Sequence, residues 1–146
     1  MVTEFQHGYE IDKNIRIWTL KKIKTINSMI KNIVKEIAKI EAIKFIRITE
    51  DAIQSSNELE GNKIKIPVTK PFHPTAIGVH LIFDFKLKTM EFYEMNSAQK
   101  GWGEKMVKAS LSALPKDWKV MLVYDWSEGF WDKMMQKYNK LKWLRI

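Results

Sequence analysis

Hydrophobic and polar residues alternate along several short stretches of the chain, which is the pattern of half-buried β-strands. The alternation is sharpest in the second half, where two stretches joined by a lysine-rich turn at 86–88 predict a β-hairpin. Seven strands are predicted in all, over residues 15–19, 44–49, 63–68, 76–85, 89–95, 118–126 and 142–146.

A period of three to four residues predicts helices between these strands. The longest covers 20–42, where Thr19 can cap the first turn and six isoleucines form one apolar stripe. The stripe spans fewer than three heptads, which favours a core helix packed on a sheet over a coiled coil. Two further helices are predicted, one that follows a loop at 96–103 and stops at Pro115, and one over 128–138.

The connections are less regular. Residues 50–60 are polar and predict a loop or a short helix closed by Gly61, and 69–75 contain two prolines and predict a loop. Successive strands followed by alternating helices and strands predict an α/β (α+β) fold with a mixed, mostly antiparallel sheet flanked by helices. A length of 146 residues without an internal repeat or a Gly/Ser-rich linker predicts one domain over 1–146.

The amino-acid composition excludes several classes of function. The chain has no cysteine, which excludes disulfide frameworks, thiolate metal sites and cysteine nucleophiles. It shows neither an export signal nor an apolar run of the roughly 20 residues that span a bilayer, so we expect a cytoplasmic protein. The three histidines, His7, His73 and His80, have no metal-ligand spacing, and no metal site is predicted.

The formal charge of +8 raises the question of nucleic-acid binding. All but three of the 25 basic residues are lysines, however, whereas the recognition of bases and phosphates favours arginine. The pattern therefore favours a solvated basic surface. Such a surface still attracts anionic ligands, including nucleotides and the phosphates of coenzyme A.

Gly101 and Gly103 lie where a predicted strand passes into a predicted helix. Since they have no side chains, they leave backbone N–H groups bare at the helix N-terminus, where a phosphate or pyrophosphate can bind. Lys100 adds a positive charge at the same place. Taken alone, the two glycines favour the alternative, a tight turn that only leads the chain into the helix.

This loop resembles the pyrophosphate loop of the GNAT superfamily of N-acetyltransferases, which reads Arg/Gln-X-X-Gly-X-Gly/Ala. Gly101 and Gly103 match its last two defined positions, whereas its first position falls on Ala98 and Gln99 stands one residue late. The resemblance in element order and motifs covers residues 76–146, and the first half of the chain resembles the family by element order alone.

A second segment, Phe130-Trp131-Asp132-Lys133-Met134, is similar to the family's Phe-Tyr-Glu-Lys-Leu, which opens its fourth helix. The resemblance implies an acyl-CoA-dependent N-acyltransferase with an amine acceptor, either a small molecule or a protein. Acetyl-CoA or another acyl-CoA would lie in a V-shaped gap between the strand ending at Met95 and the strand over 119–124. The binding residues implied are Phe92, Tyr93, Met95, Gln99, Lys100, Gly101, Trp102 and Gly103.

The implied chemistry needs a base for the ammonium proton and an acid for the leaving thiolate. Glu91 and Glu94 are the candidate bases, and regular strand alternation predicts that they point to opposite faces. For each of them taken alone, a solvated or lysine-paired carboxylate is the favoured alternative. The family's usual acid is a tyrosine whose place is taken here by Trp131, which cannot protonate a thiolate, so Tyr124 or Tyr138 would have to substitute.

Two other functions compete with this one. A non-catalytic protein of the same fold would bind a protein partner through its basic surface or through the isoleucine helix. A lysine-mediated nucleic-acid-binding protein would lose affinity steeply as salt is raised.

Overall fold

The computed structural model describes residues 9–12, 15–20, 23, 25–61 and 65–146. These form eight strands and three helices. In chain order they are β1 (Tyr9–Asp12), β2 (Ile15–Thr19), α1 (Ser28–Ile37), β3 (Phe45–Ile48), β4 (Ala52–Ser56), β5 (Ile77–Asp84), β6 (Thr89–Ser97), α2 (Trp102–Leu111), β7 (Lys119–Leu122), α3 (Phe130–Lys137) and β8 (Lys142–Arg145). None of the helices in this part of the chain has the length and apolar character that crossing a bilayer requires.

The strands lie side by side in chain order in one sheet. The pairs β2–β3, β6–β7 and β7–β8 are parallel, and the other four are antiparallel. The predicted mixed sheet of the α/β class is therefore confirmed. Each parallel pair is joined by a helix, as parallel pairing requires a crossover connection.

All three helices pack on the same face of the sheet, here called the helix face. The contacts between elements show this: α1 contacts α2, α2 contacts β5 and β6, and the Trp131 ring of α3 packs on Phe92 of β6. The core lies between these layers and includes the fully buried Ile17, Ile46 and Leu81.

The opposite face, here called the open face, has no helix against it within the described residues. It is more polar, with Arg47, Gln54 and His80 aligned across β3, β4 and β5 by the strand register. All three side chains are partly exposed. The Arg47 Nη1 donates a hydrogen bond of 2.5 Å to Gln54 Oε1.

The long helix predicted over 20–42 is wrong in its bounds. Helix α1 spans only Ser28–Ile37, because Asn27 caps it: Asn27 Oδ1 accepts hydrogen bonds from the backbone N of Met29 at 2.8 Å and of Ile30 at 3.4 Å. Thr19 is the last residue of β2 and caps no helix. Residues 21, 22 and 24 of the predicted helix lie outside the described residues.

The prediction of a loop or short helix over 50–60 is also wrong, because β4 occupies Ala52–Ser56 at the centre of the sheet. Ser55 and Ser56 are fully buried there. The Ser55 Oγ donates a hydrogen bond of 3.3 Å to Val79 O, which removes most of the cost of burying a hydroxyl. Because these residues are polar, the sequence pattern did not predict a strand here.

The strand predicted over 63–68 is wrong for residues 65–68. Within this range only Pro67 pairs, in an isolated bridge with Leu59. Residues 62–64 lie outside the described residues. The Val68 N donates to Glu58 O at 2.9 Å, so the chain doubles back after β4.

In the second half of the chain, the observed elements lie close to those predicted from the sequence. Strands β5 and β6 form the predicted hairpin, with the Asp84 carboxylate accepting from the backbone N of Lys86 and Leu87 in the turn. Helices α2 and α3 and strand β8 also lie where they were predicted. Strand β7 is shorter than the predicted 118–126, because the chain leaves the sheet after Leu122.

The segment after β4 passes directly over Gly78 on the open face. A Cβ added to Gly78 would lie 2.6 Å from Val68 O and 2.5 Å from Ser55 O, and both are backbone atoms that cannot move alone. We therefore expect Gly78→Ala to lower the free energy of unfolding by about 1–3 kcal/mol in urea titrations. Gly61→Ala is the matched control, because nothing lies within 4 Å of its added Cβ. Equal costs for the two variants would contradict this close approach.

Candidate functional site

Strands β6 and β7 pair over only three residues and then part. The paired positions are Thr89 with Lys119, Met90 with Val120 and Glu91 with Met121. Strand β6 continues to Ser97, whereas β7 ends at Leu122. Beyond Glu91, the β7 side of β6 therefore has no strand partner, and its backbone N–H and C=O groups can bind a ligand.

A β-bulge at Tyr93 accompanies this parting. Phe92 pairs with Leu81 and Glu94 pairs with the preceding residue, His80, so Tyr93 has no partner on β5. Bulges bend the strand that carries the extra residue and increase its local twist. The bend lies where β6 departs from β7.

The bulge also corrects the prediction that Glu91 and Glu94 point to opposite faces. Glu91 pairs with Ile82 and Glu94 pairs with His80, and these two β5 residues lie on the same face. The extra residue thus brings both carboxylates to the open face.

A cavity of about 280 Å³ lies between the parted strands. Its aromatic lining consists of Phe72, Phe92, Tyr93, Tyr124, Trp126, Phe130 and Trp131. Its polar lining consists of Glu94, Asn96, Ser97 and Ser127. An apolar cleft with a few convergent polar groups is the usual form of a small-molecule site.

The N-terminus of α2 borders this cavity. Its N-cap, Gly101, has a φ of +100° and makes no side-chain capping bond. Glu104 in the first turn pairs with Lys137 and does not cap the helix. Gly103 lines the cavity, and a Cβ added there would lie 3.1 Å from the Phe130 ring. Glycine at 103 lets the first turn of α2 approach the cavity wall.

The predicted cofactor residues divide into two groups. Phe92, Tyr93, Met95 and Gly103 line the cavity, whereas the rest of the loop lies outside its lining. In that loop the Trp102 Nε1 donates to Gln99 Oε1 at 3.4 Å, and the Lys105 Nζ lies 4.7 Å from the Trp102 ring centroid. Lys100 and Gly101 are exposed at the start of the helix.

The two predicted bases differ in their surroundings. Glu94 lines the cavity, and its Oε1 accepts a hydrogen bond of 3.0 Å from Thr69 Oγ1. Glu91 is not among the residues that line the cavity, and partial burial raises the pKa of its carboxyl.

The two predicted acids also differ. Tyr124 follows β7, lines the cavity and is 57 % exposed. Tyr138 caps the C-terminal end of α3, where its backbone O accepts from Trp143 Nε1 at 3.1 Å, and it does not line the cavity. Trp131, at the place of the family's tyrosine, is 5 % exposed and packs 4.8 Å from the Phe92 ring centroid.

His80 lies beside the site, on the open face of β5. Its ring is 5.0 Å from that of Tyr93, edge to face. Burial, and to a smaller extent the positive charge of Arg47, lower the pKa of His80 to about 4, with Asp51 opposing them. The imidazole is therefore neutral at neutral pH.

The loop after β7 is held by Arg145. The Arg145 Nη1 donates to Asp132 Oδ1 at 2.6 Å, and Nη2 donates to Asp125. Asp125 Oδ1 in turn accepts from the backbone N and the Oγ of Ser127. These bonds fix the cavity wall that carries Trp126.

Sequence reasoning missed Phe72 as a site residue, whereas it left Trp126 open as a residue of the core or of a ligand cleft. Phe72 lies in the predicted loop over 69–75, with its ring 6.0 Å from that of Trp126 across the cavity mouth. The only signal in the sequence was an aromatic residue between two prolines, Pro71 and Pro74.

Comparison of the chain with protein-family models, with curated proteins and with solved structures gave no significant match in any of the three. Among the described residues, no three histidine or acidic side chains come together as a metal site requires.

Proposed function

We propose that the protein is an acyltransferase of the GNAT type, which transfers an acyl group from coenzyme A to the nitrogen of an amine. The observation that carries the proposal is the parting of β6 from β7, which opens a cavity beside the glycine-led N-terminus of α2. The sequence resemblance over 76–146 supports the same reading.

The residues present suit an acyl-CoA. The β7 side of β6 offers backbone groups beyond Glu91 to the amides of a pantetheine arm. The first-turn N–H groups of α2 have no side-chain cap, and such groups bind phosphate well. Lys100 adds positive charge beside them. Bound acetyl-CoA would supply an activated acyl group as a thioester.

The residues assigned to chemistry are Glu94 and Tyr124. The acceptor enters as an ammonium ion, and Glu94 takes its proton through the carboxylate oxygen that Thr69 does not occupy. The freed nitrogen lone pair bonds to the acyl carbon as the carbon–sulfur bond breaks. Tyr124 gives its proton to the departing sulfur, a role that Trp131 cannot fill. The Tyr124 oxygen then takes back the second proton that the acylated nitrogen loses as it becomes a neutral amide.

Glu91 and Tyr138 receive no role in this proposal. Neither residue lines the cavity. Glu91 is therefore the matched control for Glu94, and Tyr138 is the matched control for Tyr124.

The glycine loop is tested by comparing CoA with pantetheine, which lacks the pyrophosphate. At 100 times its dissociation constant, a ligand adds about 2.7 kcal/mol of stability, so CoA should raise the melting temperature by several degrees. Gly101→Val should weaken CoA about 10- to 100-fold because it disturbs charge-assisted N–H contacts, and should leave pantetheine affinity unchanged.

Gly129→Val is the control for backbone strain. Gly129 is the N-cap of α3, has a φ of +92° and, like Gly101, has open space around its added Cβ. Equal losses of CoA affinity in both variants, or no stabilisation by CoA at millimolar concentration, would refute the pyrophosphate assignment.

The base is tested by Glu94→Gln. We expect turnover of acetyl-CoA with an amine acceptor to fall about 10²- to 10⁴-fold, because general-base catalysis is lost, while acetyl-CoA affinity is kept. Glu91→Gln, on the same face of the same strand, should retain turnover within a few-fold. Full activity of the Glu94 variant would remove this residue from the mechanism.

A further inference from the structure

Three aromatic side chains at the edge of the cavity are exposed although they contact one another. Phe72, Tyr124 and Trp126 are 75 %, 57 % and 54 % exposed, and we call them the aromatic mouth. The Phe72 ring meets Trp126 edge to face at 6.0 Å, and Trp126 stacks on Tyr124 at 5.7 Å. Clustered exposed aromatic rings are typical of a binding surface.

Phe72 is held in this position at a cost. Its φ of +66° lies in the left-handed region that bulky residues avoid. The turn around it is fixed from both sides: Asn96 Nδ2 donates to His73 O at 2.9 Å and to Ala76 O at 2.7 Å. His73 Nδ1 accepts from the backbone N of Ala76 at 3.0 Å. Strained backbone that presents an exposed ring points to a functional role, because folding gains little from that ring.

The cavity behind the mouth limits what the mouth can bind. A volume of about 280 Å³ suits a small molecule or one side chain. Glu94 lies in the same lining and attracts a cation. The same carboxylate repels phosphorylated groups, so aromatic rings combined with Glu94 favour a cationic amine over the adenine nucleotide of coenzyme A.

We infer that the acceptor is an amine with an aromatic side group, which stacks on Phe72 and Trp126 while its ammonium group faces Glu94. This inference rests on the proposed acyl transfer, since it names the acceptor of that same site. A primary arylalkylamine such as 2-phenylethylamine is the simplest example.

The experiment measures binding without turnover, by calorimetric titration of 2-phenylethylamine and n-butylamine into the protein. Both carry the same ammonium group, so any difference reports the ring. We expect 2-phenylethylamine to bind about tenfold more tightly, because ring–ring contacts contribute beyond the area that they bury. Phe72→Gly and Trp126→Leu should each abolish the difference.

Two controls separate recognition from stability. Phe72→Gly should keep its melting temperature within about 2 °C, because glycine adopts the positive φ without strain. Phe85→Leu removes an exposed ring that packs on Trp118 beside the hairpin turn, and it should keep the preference for the aromatic amine.

Equal affinities for the two amines in the parent protein would overturn the inference, and so would a preference that survives in either mouth variant. Displacement of 2-phenylethylamine by 3′,5′-ADP would also overturn it, because the mouth would then hold the adenine nucleotide. Since no acyl donor is present, the result is independent of the CoA titration. Stabilisation by CoA with no amine preference would refute the acceptor and leave the acyl transfer standing.

Discussion

The site depends on one extra residue in β6. The bulge at Tyr93 interrupts the pairing of β6 with β5 and bends the strand where it leaves β7. The bulge lies next to the last β6–β7 pair, Glu91 with Met121, and the cavity lies beyond that pair. The extra residue also brings Glu94 to the open face, beside His80. The cleft, the unpaired backbone and the Glu94 carboxylate thus meet at the bulge.

The rest of the molecule holds this opening in place. On the helix face, Phe92 packs on Trp131, which gives the cavity a rigid floor. On the open face, the segment that passes over Gly78 carries Thr69 to Glu94. Arg145 fixes the wall after β7 through its two acidic partners. The opening is therefore bounded on both faces of the sheet.

Local patterns in the sequence predicted the hairpin and the two helices that follow it, because their apolar periodicity matches their burial. They did not predict β4, where Ser55 and Ser56 are buried in the sheet. They also did not predict the start of α1, because the cap at Asn27 sets its first residue. The bulge was hidden for a physical reason: residues 89–95 alternate regularly, and only pairing with β5 shows that Tyr93 is the additional residue. The glycine loop could be found from its motif. The contact between Phe72 and Trp126 could not, since it depends on the long-range path of the chain over the open face.

We propose that the unpaired side of β6 and the N-terminus of α2 bind one and the same ligand. Hydrogen exchange followed by mass spectrometry, with and without acetyl-CoA, can detect this binding, because amides without a strand partner exchange rapidly until a ligand protects them. We expect slower exchange in peptides covering 92–97 and 101–104, and no change at the hairpin turn over 84–89. Unchanged exchange at β6 with saturating acetyl-CoA, or protection confined to lysine-rich surface segments elsewhere, would contradict it.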